Sequence, residues 1–208
     1  IAEESMGTKV QMVPIFIYQS YILWRPRPMG GGILARADDG VHWNRPNEQF
    51  EIKLGNKTVH WDTGDTVQQS GLGEFGSSDP GDQNSLPAAT RMINIVSSFP
   101  ELPDFSPSIV TLQKASLPVG RKLVSKLGIS RAPSWGRLFS MSSWKHDHSS
   151  GPFMDYRFES EGFVAKDEVG AYKDMYTFFK SRTVAASDIE SAQDEGEINP
   201  DSVSKGNY

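Results

Sequence analysis

The sequence predicts a mainly β fold with α additions, either an antiparallel sandwich or a jelly-roll-like domain, with one or two short helices. Two observations predict this class. Short runs of β-branched and aromatic residues alternate with loops rich in Pro and Gly, which number 13 and 19 among the 208 residues. Only two stretches show the three- and four-residue apolar spacing of a helix. We expect one β-rich domain over residues 1–184 and an acidic, flexible tail at 185–208.

The first half of the chain predicts strands bounded by turns. Met12 to Trp24 is dominated by β-branched and aromatic residues and ends before two closely spaced prolines, which cannot donate to a sheet. Ile33 to Ala37 predicts a short strand. In Phe50 to Asp62, apolar and polar residues alternate on both sides of Gly55-Asn56, which is typical of a two-residue hairpin turn. We therefore expect a β-hairpin there.

The middle of the chain is less regular. Residues 63–86 lack periodicity and predict a long irregular loop, which is either functional or disordered. Ala88 to Ser98 fits a short helix or a strand equally well, because apolar residues dominate without a single period. Ser108 to Leu112 predicts another strand.

Two helices and two strands are predicted in the second half. Pro118 to Leu127 has a proline near its first turn, and Gly128 is expected to end it. Leu138 to Trp144 and Phe153 to Phe158 predict strands that flank a polar connection. The last helix is expected to follow Asp167 as an N-cap, and its apolar stripe consists of Val169, Tyr172, Met175, Tyr176 and Phe179.

Composition excludes several classes of protein. The chain has no Cys, which rules out disulfides, thiolate metal sites and cysteine nucleophiles. No apolar run is long enough to span a membrane, so we expect a soluble chain.

The net charge of −5 equals that of residues 185–208, with six acids and one base. The first residue, Ile1, indicates release from a larger precursor or a cut made for expression.

A basic stretch at 114–145 is the one surface that favours a polyanion. It contains no acid, and with Trp135 and Trp144 nearby it could contact phosphates and stack on bases. This pattern predicts binding of nucleic acid, although a solvated basic face explains it as well. The candidate polyanion-facing residues are Lys114, Arg121, Lys122, Lys126, Arg131, Arg137 and Lys145.

Histidines raise a metal-binding alternative. His60 and Asp62 alternate along a predicted strand, so both side chains point to one side, and His148 or His146 could complete a two-histidine, one-carboxylate triad. With Arg157 nine residues after His148, the pattern resembles that of Fe(II)/2-oxoglutarate-dependent dioxygenases, over four residues only. The resemblance implies an Fe(II) centre, with Arg157 binding the cosubstrate carboxylate. Two solvated histidines in a polar loop are the simpler reading of His146 and His148.

The preferred hypothesis is a non-enzymatic assembly subunit without a cofactor, such as a viral capsid or virion protein released from a larger precursor. The chain lacks a nucleophile elbow, a phosphate loop and a zinc-protease helix. Its aromatic strands predict contacts with copies of itself or sister chains, and Tyr21 and Trp24 are the candidate interface residues. The dioxygenase ranks second, and a nucleic-acid-binding module using residues 114–145 ranks third.

Overall fold

The computed structural model describes residues 9–129, 132–146 and 153–181, and the predicted tail at 185–208 lies outside these ranges. Within these ranges the chain forms eight strands and three α-helices. The strands are β1 (Lys9–Trp24), β2 (Ile33–Ala37), β3 (Gln49–Leu54), β4 (Lys57–Asp62), β5 (Ala89–Ser98), β6 (Ser108–Gln113), β7 (Arg137–His146) and β8 (Phe153–Phe163). The helices are α1 (Val67–Ser70), α2 (Leu117–Ile129) and α3 (Val169–Ser181).

The predicted fold class is confirmed, because all the strand pairs described are antiparallel and the helices are few and short. The two predicted helices correspond to α2 and α3, and the single-turn α1 is a further short helix. Thr66 caps that turn by accepting the backbone N–H of Gln69 at 3.1 Å. Gly128 does not end α2 as expected, since it keeps a helical backbone and the helix continues to Ile129.

β1 organises the main sheet, whose strands run in the order β6-β5-β1-β7-β8, with β2 also pairing with β1. Its first residues, 9–12, pair with β7, residues 13–23 pair with β5, and residues 21–24 pair with β2. The ambiguous run at 88–98 is therefore a strand. It lies between β1 and β6, where its backbone finds partners on both sides. The predicted hairpin β3–β4 forms a separate two-stranded sheet.

A proline interrupts the central strand without breaking it. Pro14 cannot donate to the ladder, and the β1–β5 register shifts between Pro14 and Phe16, which marks a β-bulge. The extra residue changes which side chains face each way. Met12 and Ile17 lie five positions apart, which would place them on opposite faces of a regular strand, and they consequently contribute to the same core cluster only because of the bulge.

Helices cover both faces of this sheet. On one face, α2 inserts Leu123 against Ile93, Ile95 and Phe139, all buried. On the other face, the predicted apolar stripe of α3 packs against Val13, Ile15 and Val96, with Tyr172 buried at its centre. A third cluster joins β2, the hairpin and α1 around Trp43 and Trp61. The apolar stripe of α3 thus identifies the face that this helix buries.

Residues 63–86 contain α1 and are otherwise irregular, but side-chain hydrogen bonds hold this segment to the hairpin. The Trp61 indole donates to the carbonyl of Ser77 at 3.1 Å, and the Ser77 hydroxyl lies 2.9 Å from the carbonyl of Leu72. Lys57 forms an ion pair with Asp79. The chain itself therefore satisfies many of the polar groups in this segment.

Candidate functional site

The predicted metal pair lies on one face of β4. His60 and Asp62 are both exposed and line a cavity of about 680 Å³ between the hairpin and the 70–83 region. The carboxylate of Asp62 accepts the backbone N–H of Gly64 at 2.9 Å through Oδ1 and the amide of Gln49 at 3.3 Å through Oδ2. Both oxygens already have a structural role in closing the hairpin.

The other members of the predicted triad are not brought to this cavity in the part of the chain described. His148 lies outside the described residues, and His146 ends β7, a strand of the main sheet. Arg157 is on β8, does not line the cavity, and lies 3.9 Å from Glu159 as an exposed ion pair. Across residues 9–129, 132–146 and 153–181, no three His, Asp or Glu side chains group closely enough to bind a metal ion.

The predicted basic residues fall into separate groups. Arg121, Lys122 and Lys126 are exposed on α2, and Lys114 precedes that helix with a left-handed backbone (φ 49°). Lys145 is exposed near the end of β7. Arg131 lies outside the described residues. Helix α2 therefore carries the only group of three among these cations in the part of the chain described.

Arg137, in contrast, is engaged within the fold. Its guanidinium lies 5.0 Å from the ring centroid of its register partner Phe163 and 5.9 Å from that of Phe139. Its Nη2 donates to the hydroxyl of Ser160 at 3.0 Å. Cation–π contacts of this kind stabilise the pairing of β7 and β8, which gives Arg137 a structural role.

The two predicted interface residues differ in their surroundings. Tyr21 packs against the core cluster of the hairpin, and a Cβ added to Gly73 would lie only 3.3 Å from its ring carbon Cε1. Trp24 ends β1 and remains 38% exposed. Its register partner on β2, Ile33, is 36% exposed. Of the two predicted residues, Trp24 has the larger share of its surface available to a partner.

A cleft that the sequence did not reveal lies on the α2 face of the sheet. It encloses about 730 Å³ between α2, β1, β5 and the turn after β2, and we call it the Arg91 cleft after the arginine that lines it. Arg91 lies in the run whose type was ambiguous, so no pattern predicted which way it faces. Arg121, thirty residues further on, lines the same cleft.

Comparison with known proteins identifies the family. The model of the family described as Pam3 phage gp34-like protein matches residues 1–185. The chain therefore belongs to that family of phage proteins. No curated protein and no solved structure matches the chain significantly.

The helices are shorter than a membrane span. A membrane-spanning helix needs about 20 apolar residues, whereas α2 and α3 have 13 each. None of the helices in the described ranges is long and apolar enough to cross a bilayer.

Proposed function

We propose that this phage protein is a non-enzymatic structural subunit of the virion that assembles with copies of itself. The observation that carries this proposal is the exposed apolar pair formed by Trp24 and Ile33, directly opposite each other where β1 meets β2. Tryptophan is among the residues most enriched in the energetically dominant centres of protein interfaces. Membership in a phage family supports the virion as the setting of such contacts.

The local backbone makes this pair a preformed surface. The connection between β1 and β2 is closed by hydrogen bonds from the N–H of Arg25 to the carbonyl of Gly32 at 2.9 Å and from the N–H of Gly30 to the carbonyl of Arg27 at 3.0 Å. Arg25 and Arg27, both exposed, lie in the connection that joins the two members of the apolar pair. An apolar centre with a polar rim is the usual anatomy of an interface.

Edge-to-edge pairing through β8 explains assembly less well. β8 is a terminal strand of the sheet, and in the described residues nothing pairs with its outer side. However, it carries Asp155, Arg157, Glu159 and Glu161 at alternate positions. Charged side chains on an edge strand discourage pairing with another chain. We therefore assign the contact to the Trp24–Ile33 pair rather than to the edge of β8.

Light scattering coupled to size-exclusion chromatography tests the proposal. The wild-type chain should form a defined oligomer, and Trp24→Asp should convert it to a monomer with unchanged circular dichroism, because burying the new charge at a contact is unfavourable. Phe105→Ser is the matched control, since Phe105 is also exposed, at 47%. It comes after β5, whose last residues pair with the end of β1 opposite Trp24. Phe105→Ser should leave the oligomer intact.

Tyr21→Asp separates the interface from the core. Because the Tyr21 ring packs within the hairpin core cluster, we expect this variant to lose folded structure rather than only association. A wild-type chain that stays monomeric at every concentration, or a Trp24→Asp variant that assembles normally, would overturn self-assembly through this surface.

A further inference from the structure

The Arg91 cleft has the volume and lining of a binding site. Two glycines allow its walls to approach closely. A Cβ on Gly120 would lie 3.0 Å from Leu112 Cδ1 and 3.1 Å from Ile93 Cδ1, so α2 sits close against the sheet. Gly40 lets the turn after β2 approach β1 equally closely. Between these walls, Ile17, Ile93 and Val124 present apolar surface. The volume of about 730 Å³ lies within the usual range of about 300–1,000 Å³ for ligand sites.

Two guanidinium groups line the cleft without a carboxylate partner in the described residues. Nη2 of Arg91 donates to Oε1 of Gln19 at 2.7 Å, while its buried Nε has no acceptor in that part of the chain. Arg121 is exposed and forms no ion pair with any residue the structure describes. Arginine binds carboxylates through paired, charge-assisted hydrogen bonds. The cleft is thus complementary to a negatively charged group.

The acid that also lines the cleft does not cancel this charge. Asp39 directs Oδ1 to the backbone N–H groups of Val41 and His42, both at 2.7 Å, and Oδ2 lies 2.7 Å from Nδ1 of His42. Its carboxylate is committed to the turn, which leaves Arg91 and Arg121 to a ligand.

We propose that the Arg91 cleft binds the acidic segment 185–208 of a neighbouring copy of this chain, an inference that rests on the proposed self-assembly. The segment holds six acids and one base, equal to the entire net charge of −5. It includes Asp188-Ile189-Glu190, in which carboxylates flank an aliphatic residue. A carboxylate on the arginines and an aliphatic side chain on Ile17, Ile93 and Val124 would use both properties of the cleft.

The same lining disfavours a nucleic acid as the occupant. Affinity for nucleic acid comes mainly from contacts to successive phosphates, whereas this cleft combines only two cations with an apolar floor. The cations Lys122 and Lys126, which would extend a phosphate track along α2, are not part of the lining.

Fluorescence anisotropy with a labelled 185–208 peptide tests the proposal on the full-length chain. In the host protein, the six acids of that segment are replaced by Asn or Gln, so that its own segment does not compete. The peptide should bind, more tightly at low salt, and Arg91→Gln combined with Arg121→Gln should weaken it by about tenfold or more. Lys122→Gln, on the same helix but outside the cleft, should leave binding unchanged.

Two further arms keep the result decisive. Arg121→Gln alone changes an exposed side chain and should still weaken binding, even if the double variant fails to fold. Peptide that does not bind, or that binds the Arg121→Gln and Lys122→Gln hosts equally, overturns the proposal. A single-stranded oligonucleotide that binds where the peptide does not overturns it in favour of nucleic acid.

The outcome is independent of the Trp24 experiment. Binding of the free peptide does not require oligomer formation, so Trp24→Asp introduced into the host should not affect it. Wild-type oligomers that form while the peptide fails to bind would overturn the cleft assignment alone, leaving self-assembly through Trp24 and Ile33 in place.

Discussion

A Cβ atom on Gly40 would lie 2.8 Å from the backbone carbonyl oxygen of Gln19, so the turn after β2 touches β1 at a point where only glycine fits. Gly40 also has a φ of +74°, a region that residues with a side chain rarely adopt. The contact positions both the turn and one wall of the Arg91 cleft. The glycine that this turn requires therefore also helps to set the shape of the Arg91 cleft.

Gly40→Ala should therefore destabilise the protein by more than backbone strain alone. The left-handed conformation costs a residue with a Cβ about 1–2 kcal/mol, and the clash with Gln19 adds about 1 kcal/mol or more. Gly55→Ala is the matched control, because Gly55 has a similar φ of +60° but open space around its Cβ position. Urea denaturation measures both variants, and equal losses would show that the contact is unimportant.

A buried polar network in the main sheet gives a second prediction. Asn94 donates to the Ser20 hydroxyl at 2.7 Å and accepts from the Thr111 hydroxyl at 2.9 Å. Asn94→Ala leaves the buried Ser20 without this partner and should lower the free energy of unfolding by about 2 kcal/mol.

Thr111→Ala is the control for this network. Thr111 is exposed, and water can replace its contribution, so this variant should cost about 0.5–1 kcal/mol. Combined with Asn94→Ala, it should add less than it does alone, because the two residues share one hydrogen bond. Equal costs for the two single variants would contradict the assignment of Asn94 as the centre of the network.

The turn after β2 should make stability depend on pH. Burial raises the pKa of Asp39, but hydrogen bonds from the His42 side chain and from the backbone N–H groups of His42 and Val41 outweigh it, so the net pKa is lowered. A carboxyl with a lowered folded-state pKa stabilises the fold above its unfolded pKa, and this contribution is lost as the pH falls through the folded value. We expect thermal stability to decline below about pH 4.

Asp39→Asn isolates this effect, since the amide oxygen can still accept the backbone hydrogen bonds while the charge is removed. Thermal melts across the acid range should show a shallower decline for Asp39→Asn than for the wild type. Asp104→Asn serves as the control, because Asp104 is exposed and forms no hydrogen bond or ion pair with other described residues. An unchanged slope in Asp39→Asn would contradict the prediction.

The dioxygenase alternative predicts metal binding, and we expect none at micromolar affinity. Both oxygens of Asp62 already accept hydrogen bonds, and the described residues supply no third ligand beside His60 and Asp62. Calorimetric titration with Fe(II) or Zn(II) measures this directly. One-to-one binding that disappears in Asp62→Ala would support the oxygenase and exclude an assembly-only role.

Elements with local signals were predictable from the amino-acid sequence. Alternation around Gly55-Asn56 predicted the β3–β4 hairpin, where Gly55 supplies the positive φ of the turn. The apolar stripe Val169, Tyr172, Met175, Tyr176 and Phe179 predicted α3 and the face it buries. These patterns depend on neighbours within one or two turns of chain, so composition and spacing suffice to read them.

Features that depend on residues distant in the chain were not predictable before the fold was known. Ala89–Ser98 became a strand because β1 and β6 lie on either side of it, although its own residues fit a helix as well. Arg91 and Arg121 line one cleft because Gly120 brings α2 against that strand. Trp24 is exposed while Tyr21 packs into the core, although both lie in the same apolar run. Pairing and packing across the sheet set these properties, and no local pattern encodes them.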